Sequence, residues 1–150
     1  MKSPIPVHIL NGPNLDQLGR REPELYGTTT WPELVELCRK WAACAGLRAE
    51  VLQTAGEGDL VSLVHAAGRQ SAGLILNAAA YTPTSVALRD ALLCLSIPVV
   101  EVHLTNPMRR EPFRRVSYLA DVVTATVQGF GPEGYRLAIE GLAALLREPR

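Results

Sequence analysis

Gly73-Leu74-Ile75-Leu76-Asn77 is an apolar run closed by an amide. It has the length of a strand rather than a helix and lacks the polar alternation of a strand with one wet face. It therefore reads as a central strand of a parallel sheet covered on both sides. Working outward, Val7-His8-Ile9-Leu10 reads as a second buried strand, ended by the turn signal Asn11-Gly12-Pro13-Asn14. Ile97 to Val102 reads as another, ending at Glu101 and His103. Leu47, Ala49 and Val51 alternate with Arg48 and Glu50, giving a half-exposed strand, and Val122 to Val127 gives a fifth.

Helical spacing fills the intervals. Over residues 32–45, Pro32 fits a first helical position, Leu34, Leu37, Cys38 and Trp41 recur at i, i+3, i+4 and i+7, and Gly46 supplies the stop. Leu60, Leu63, Val64 and Ala67 repeat the pattern. Thr84-Ser85 can cap a helix over 86–95, and a last helix from Glu133 to Leu146 carries Tyr135, Ala138, Ile139, Leu142 and Leu145 on one side. Strands and helices alternating at this pace predict an α/β fold, a flavodoxin-like doubly wound five-stranded parallel sheet. The 150 residues are about one domain's worth, so the expectation is a single domain over 1–150. In such sheets the site lies at the carboxyl ends of strands, where Asn11, Asn14, Asn77 and His103 converge.

Composition narrows the function. Lys plus Arg equals Asp plus Glu at 15 each, with both signs scattered, which argues against a nucleic-acid surface or a polybasic membrane anchor. Hydrophobic residues at 47% argue against disorder. No apolar run approaches the ~18 residues that cross a bilayer, and Met1-Lys2-Ser3-Pro4-Ile5-Pro6 lacks the apolar stretch of a secretion signal, so a cytoplasmic protein is expected. Cys38, Cys44 and Cys94 have no paired metal-ligand spacing and lie in apolar helical stretches. They read as buried thiols, without disulfide or zinc. Lys2 and Lys40 are the two lysines against 13 arginines, and neither is placed as a Schiff-base amine; the arginine fork suits carboxylates and phosphates.

Two stretches do not fit a plain scaffold. Residues 11–31 put about twenty residues between strand and helix where two to six are usual. Within them lie Arg20, Arg21, Glu22, Glu24 and Tyr26, with Gly19 and Gly27 placed to hinge a lid at about 19–27. A disordered loop carrying a solvated charge cluster remains the competing reading here. In the second stretch, His103 follows Glu101 at a strand end and Arg109, Arg110, Arg114 and Arg115 lie downstream, an acid/base beside an anion site. His8 and His65 read as structural. A phenol ordinarily loses its proton near pH ~10, so Tyr26 needs neighbouring cations to act as a base, and Arg21 can supply one. Together these residues suit proton transfer on a small carboxylate, with asparagines for developing negative charge.

The sequence then resembles a family. Asn11-Gly12-Pro13-Asn14-Leu15, Leu18-Gly19, Arg21-Glu22-Pro23-Glu24, Tyr26-Gly27 and Thr29-Thr30 look like the opening signature of type II 3-dehydroquinate dehydratases. The likeness runs on through Ser85-Val86-Ala87-Leu88-Arg89-Asp90-Ala91-Leu92, Glu101-Val102-His103-Leu104, Arg110-Glu111, Phe113-Arg114, Ser117-Tyr118, Gly129, Gly131 and Gly134-Tyr135. It implies reversible anti elimination of water from 3-dehydroquinate to 3-dehydroshikimate through an enolate. It also implies a dodecamer of four trimers, without metal or organic cofactor.

By matching position, Tyr26 is the implied lid base for the C2 proton, with Arg21 stabilising the tyrosinate and helping close the lid. His103 is the implied acid for the C1 hydroxyl, oriented by Glu101. The resemblance likewise implies that Asn14 holds the water that stabilises the enolate oxygen. It implies that Asn77, the backbone at Leu104 and Thr105, and Arg114 hold the substrate's hydroxyls and carboxylate, with Asp90 reaching in from a neighbouring subunit. Val86 and Leu93 flank Asp90 on the side of the helix away from Leu88, Ala91, Leu92 and Leu95, which suits an interface.

Three places depart from the family's pattern. Pro83 stands in Tyr81-Thr82-Pro83-Thr84-Ser85 where the family has a substrate-binding histidine, Met108 where it tends to have a histidine, and Ala55-Gly56 where it has Asn-His. Two other readings therefore stay open: the same proton machinery on a related cyclic hydroxy-keto acid, and a non-catalytic homologue that binds a carboxylate or a protein partner. A phospho-receiver needs acids after strand one and a lysine after strand five, where Asn11-Gly12 and Gln128-Gly129 stand. Neither a flavin-type phosphate loop nor Gly-x-x-x-x-Gly-Lys is present.

Overall fold

The computed structural model describes residues 2–148. Five strands, β1 (Ile5–Asn11), β2 (Leu47–Gln53), β3 (Gly73–Asn77), β4 (Val99–His103) and β5 (Ala125–Gln128), form one sheet. Every neighbouring pair is parallel and the order is β2-β1-β3-β4-β5, the flavodoxin-like arrangement with its switch point between β1 and β3. The register lines up polar residues at the carboxyl edge: Asn11 pairs with both Gln53 and Asn77, and His103 pairs with Gln128.

The connecting helices are α1 (Pro23–Tyr26), α2 (Trp31–Cys44), α3 (Glu57–Gln70), α4 (Val86–Leu93) and α5 (Glu133–Arg147). Successive side chains of a strand point to opposite faces, so the buried stretches of β1 and β3, apolar but for His8 and the closing Asn11 and Asn77, feed two cores. Ile9 and Ile75 join Leu34 and Cys38 of α2 and Ile139 and Leu142 of α5. Leu10, Leu74 and Leu76 join Leu60 and Val64 of α3 and Leu88 and Leu92 of α4. Each such side chain taken fully out of water contributes roughly 1.5–3 kcal/mol, enough to fix the strands in register. Thr30 caps α2 by accepting from the Glu33 N–H at 3.3 Å, and Ser85 caps α4 by accepting from Leu88 at 2.9 Å. No described helix is long and apolar enough to cross a membrane.

Several boundaries and burials differ from the expectation. β5 begins at Ala125 rather than Val122, because Val122 and Val123 are used in a turn that packs on the α3–α4 side. It is an edge strand, exposed over Ala125 and Thr126. β4 begins at Val99: Pro98 has no N–H to give the ladder and contributes only its carbonyl, which accepts from Leu74 at 3.0 Å. α4 ends at Leu93, with Cys94 and Leu95 in its closing turn. Only Cys38 is buried, and burial pushes its thiol up to about 12. Cys44 is exposed because six residues at 100° each turn it to the far side of α2, and Cys94 because it lies past the end of α4. His8 is buried in β1, whereas His65 is exposed on α3. The stretch 11–31 is folded, with a 3-10 turn at Leu15–Gln17 and the short helix α1.

Candidate active site

A cavity of about 170 Å³ opens at the carboxyl edge of the sheet, lined from the β1 turn, the 11–31 stretch, the ends of β3 and β4, and the arginine-rich segment after β4. Its floor depends on how closely β1 and β3 approach. Gly12 donates to the Asn77 carbonyl at 2.8 Å, and a Cβ at Gly12 would meet the Ala78 oxygen at 2.6 Å, so only glycine lets the strand ends meet. Asn14 takes the left-handed conformation at φ 71, which asparagine tolerates, and turns the chain across the cavity mouth.

Beneath the cavity three side chains are bonded in series. Asn11 Nδ2 donates to the Leu52 carbonyl at 3.0 Å, Tyr135 Oη donates to Asn11 Oδ1 at 2.6 Å, and Asn77 Nδ2 donates to Tyr135 Oη at 3.0 Å. Asn77 Oδ1 accepts from the Ala79 N–H at 3.2 Å. All three residues are buried, and burial pushes the Tyr135 phenol above its ordinary range.

His103, at the end of β4, lines the cavity, and its Nε2 stands 3.3 Å from Glu101 Oε1. Glu101 is fully buried and neither of its oxygens has a hydrogen bond, so this contact is one of charge proximity rather than an aligned hydrogen bond. A buried carboxyl group without a hydrogen-bond partner is costly, and the His103 imidazole is the polar group set against it.

The 11–31 stretch brings a phenol to the same cavity. Leu15 and Leu18 are buried and anchor it, Gly19 and Gly27 have φ of 87 and 83, and α1 between them ends in Tyr26. The guanidinium carbons of Arg21 and Arg110 lie 4.8 and 5.3 Å from the centroid of the Tyr26 ring. Two guanidiniums thus lie within cation–π range of the one phenol ring. Arg114 Nε donates to Glu111 Oε2 at 2.8 Å, which leaves the terminal amino groups of its fork for another anion. The Arg114 guanidinium, with Arg110 further off, holds the Glu111 carboxyl below its ordinary range.

Of the residues expected at the site, Asn14, Arg21, Tyr26, Asn77, His103, Leu104, Thr105 and Arg114 line this one cavity, and Glu101 lies directly behind His103. Asp90 does not: it is exposed on α4, outside this chain's cavity. Arg110 lines the cavity as well; the sequence marked it only as one of four arginines of an anion site and did not single it out. Tyr135 was read only as a core position, since nothing in a helical period marks a hydroxyl as bonded. Among the three departures from the family pattern, Pro83 lines the cavity, whereas Met108 is 60% exposed and outside the lining. Ala55 and Gly56 form the β2–α3 turn, where the Ala55 carbonyl accepts from Tyr81 Oη at 2.7 Å.

The family model described as dehydroquinase class II matches residues 5–143. The chain is 53% identical over 141 residues to "3-dehydroquinate dehydratase 1" of Bradyrhizobium diazoefficiens, covering 93% of this chain and 91% of that protein. It is 52% identical over 139 residues to a 3-dehydroquinate dehydratase of Afipia carboxidovorans, covering 92% of each. A crystal structure of the type II dehydroquinase from Propionibacterium acnes superimposes with a TM-score of 0.90 at 40% identity, over 96% of this chain and 98% of that one. With the family's model and its fold both spanning nearly the whole sequence, this chain belongs to the class II dehydroquinases.

Proposed function

We propose that the chain carries out the 3-dehydroquinate dehydratase activity of its relatives by proton transfer between Tyr26 and His103. The observation that carries this reading is the pairing of two proton-transfer groups in one cavity, each with its own charge support: Arg21 and Arg110 over Tyr26, and Glu101 behind His103. The Tyr26 phenolate takes the C2 proton, breaking the C–H bond and leaving an enolate. Its oxygen is stabilised through a water held by Asn14. The enolate electrons re-form the carbonyl and the C1–C2 double bond as the C1–O bond breaks in the anti sense. His103 gives that oxygen its proton, so water departs. Tyr26 ends protonated and His103 deprotonated, and proton return between solvent and these groups resets the site without net change.

In the same reading, segment 19–27 is a lid hinged at Gly19 and Gly27 that carries Tyr26 and Arg21 over the substrate. The free amino groups of Arg114 take the carboxylate, and Asn77 with the backbone at Leu104 and Thr105 takes hydroxyls. Asp90 serves the site of a neighbouring subunit in a dodecamer of trimers. Val86 and Leu93, 56% and 60% exposed beside it, support an interface on that helix face. Pro83 in the cavity lining favours one second reading, a related cyclic hydroxy-keto acid as the preferred substrate.

The test is absorbance in the enone band of 3-dehydroshikimate after addition of 3-dehydroquinate, with Tyr26→Phe and His103→Ala in parallel. A rising signal that collapses in both variants is expected. Turnover that survives either substitution defeats the assigned roles, and a flat trace from the folded wild-type chain sends the search to other cyclic hydroxy acids.

A further inference from the structure

We propose that Tyr135 is a positioning residue, which locks the Asn77 amide so that it presents a hydrogen-bond donor, and not an acceptor, to the substrate. This inference deepens the dehydratase reading and rests on it. The polarity of the buried series is set from both ends by backbone groups of fixed sense. The Leu52 carbonyl can only accept, which makes Asn11 Nδ2 the donor and turns Asn11 Oδ1 toward Tyr135. That oxygen takes the Tyr135 proton, so the Tyr135 oxygen is left to accept, and it accepts from Asn77 Nδ2. At the far end the Ala79 N–H can only donate, which fixes Asn77 Oδ1 as its acceptor. Asn77 therefore has one amide hydrogen on Tyr135 and its carbonyl oxygen on Ala79. Its second amide hydrogen is the group left for the cavity that Asn77 lines. Because burial pushes the Tyr135 phenol up, its hydroxyl stays protonated at working pH and the sense of the series does not reverse.

This polarity selects substrates. The group opposite Asn77 must bring an oxygen lone pair, as a hydroxyl, carbonyl or carboxylate does. An analogue with a protonated amine there meets a donor and loses the contact. Tyr135 touches no substrate and acts only through Asn77.

The test is a double-mutant cycle in the full-length chain with Tyr135→Phe, Asn77→Ala and the pair, read as KM and kcat on 3-dehydroquinate with far-UV circular dichroism as the folding check. Tyr135→Phe is expected to raise KM about five- to tenfold with kcat changed less than about twofold, the loss of one aligned hydrogen bond. The pH–rate profile stays in place, and the pair is no worse than Asn77→Ala alone, because the two act on one contact. Should Tyr135→Phe fail to fold, Asn11→Ala replaces it in the cycle. That change removes the acceptor that fixes the Tyr135 proton and carries the same KM expectation. Multiplicative losses in the pair, or a fall in kcat at constant KM, overturn the positioning role and leave Tyr135 a core residue. No turnover by the wild-type chain overturns the dehydratase reading and this inference together, whereas turnover with independent losses overturns this inference alone.

Discussion

Gly12→Ala tests whether the approach of β1 to β3 holds the site together. The added Cβ lies 2.6 Å from the Ala78 oxygen, and ordinary contact begins at 3.4 Å, so the strand ends must part by about 0.8 Å. The Gly12 N–H to Asn77 carbonyl bond, now 2.8 Å, then stretches to the edge of hydrogen-bond range. Losing that bond is worth about 1 kcal/mol and straining a packed interior typically 1–3, so the expected destabilisation is roughly 2–4 kcal/mol. The site feels the same shift, since Asn77 and Ala79 line the cavity, and a misplacement near 1 Å can cost on the order of a hundredfold in kcat/KM. Urea unfolding and kcat/KM measure the two effects. Gly141→Ala is the control: in α5, with nothing within 4 Å of its added Cβ, it should stabilise by about 0.5–1 kcal/mol through helix propensity. A Gly12→Ala protein within about 0.5 kcal/mol and twofold of wild type would refute the reasoning, because surface-like effects have that size.

His8 is buried in β1 with Nδ1 unpartnered; burial lowers its proton affinity, and Glu50 across the register only partly opposes this. A folded-state value below the ordinary ~6.5 means the unfolded chain binds the proton first, so this contribution is present above about pH 6.5 and is lost as pH falls below it. Unfolding free energies at several pH values should fall more steeply on acidification for wild type than for His8→Leu; equal slopes would rule the burial argument out. Pro83→His introduces a donor in the cavity wall and is expected to lower KM about five- to tenfold, one hydrogen bond's worth. An unchanged KM would mean that the substrate's hydroxyl is already held by another group.

The fold was legible because both faces of the sheet are buried. A buried stretch at 7–10, apolar but for His8, a continuous apolar run at 73–76 and helical periods between them leave little freedom once their cores must close. β5 was misjudged because an edge strand need not be apolar, while the apolar Val122 and Val123 serve a turn. The site was legible where a titratable group ends a strand, as His103 does, or sits in a stretch too long for its connection, as Tyr26 does. Arg110 was not singled out, because four arginines in seven residues look alike in sequence and only folding decides which reach the cavity: Arg110 and Arg114 do, Arg109 and Arg115 do not. Tyr135 was hidden for the opposite reason. Its ring satisfies the helix period, and its hydroxyl matters only through residues 58 and 124 positions away in the chain.

The candidate site divides into a half held by the sheet and a half carried by segment 19–27, the proposed lid, and packing explains the division. Asn77 and His103 end central strands and Glu101 lies within β4; each is less than a tenth exposed, held by the sheet itself. Tyr26 and Arg21 belong to a segment whose helix α1 buries none of its residues. Little apolar burial holds α1 in place, so charge must do more of the work there. Arg21, Arg110 and Arg114 all face the cavity, and the acids beside them, Glu22 at 3.7 Å and Glu111 at 2.8 Å, are half-exposed and only partly neutralise them. An anionic substrate supplies the missing countercharge in the one place where all three guanidiniums can use it. On the proposed function, binding the substrate and closing the lid are one electrostatic event, and the phenol reaches the reacting carbon only when that event is complete.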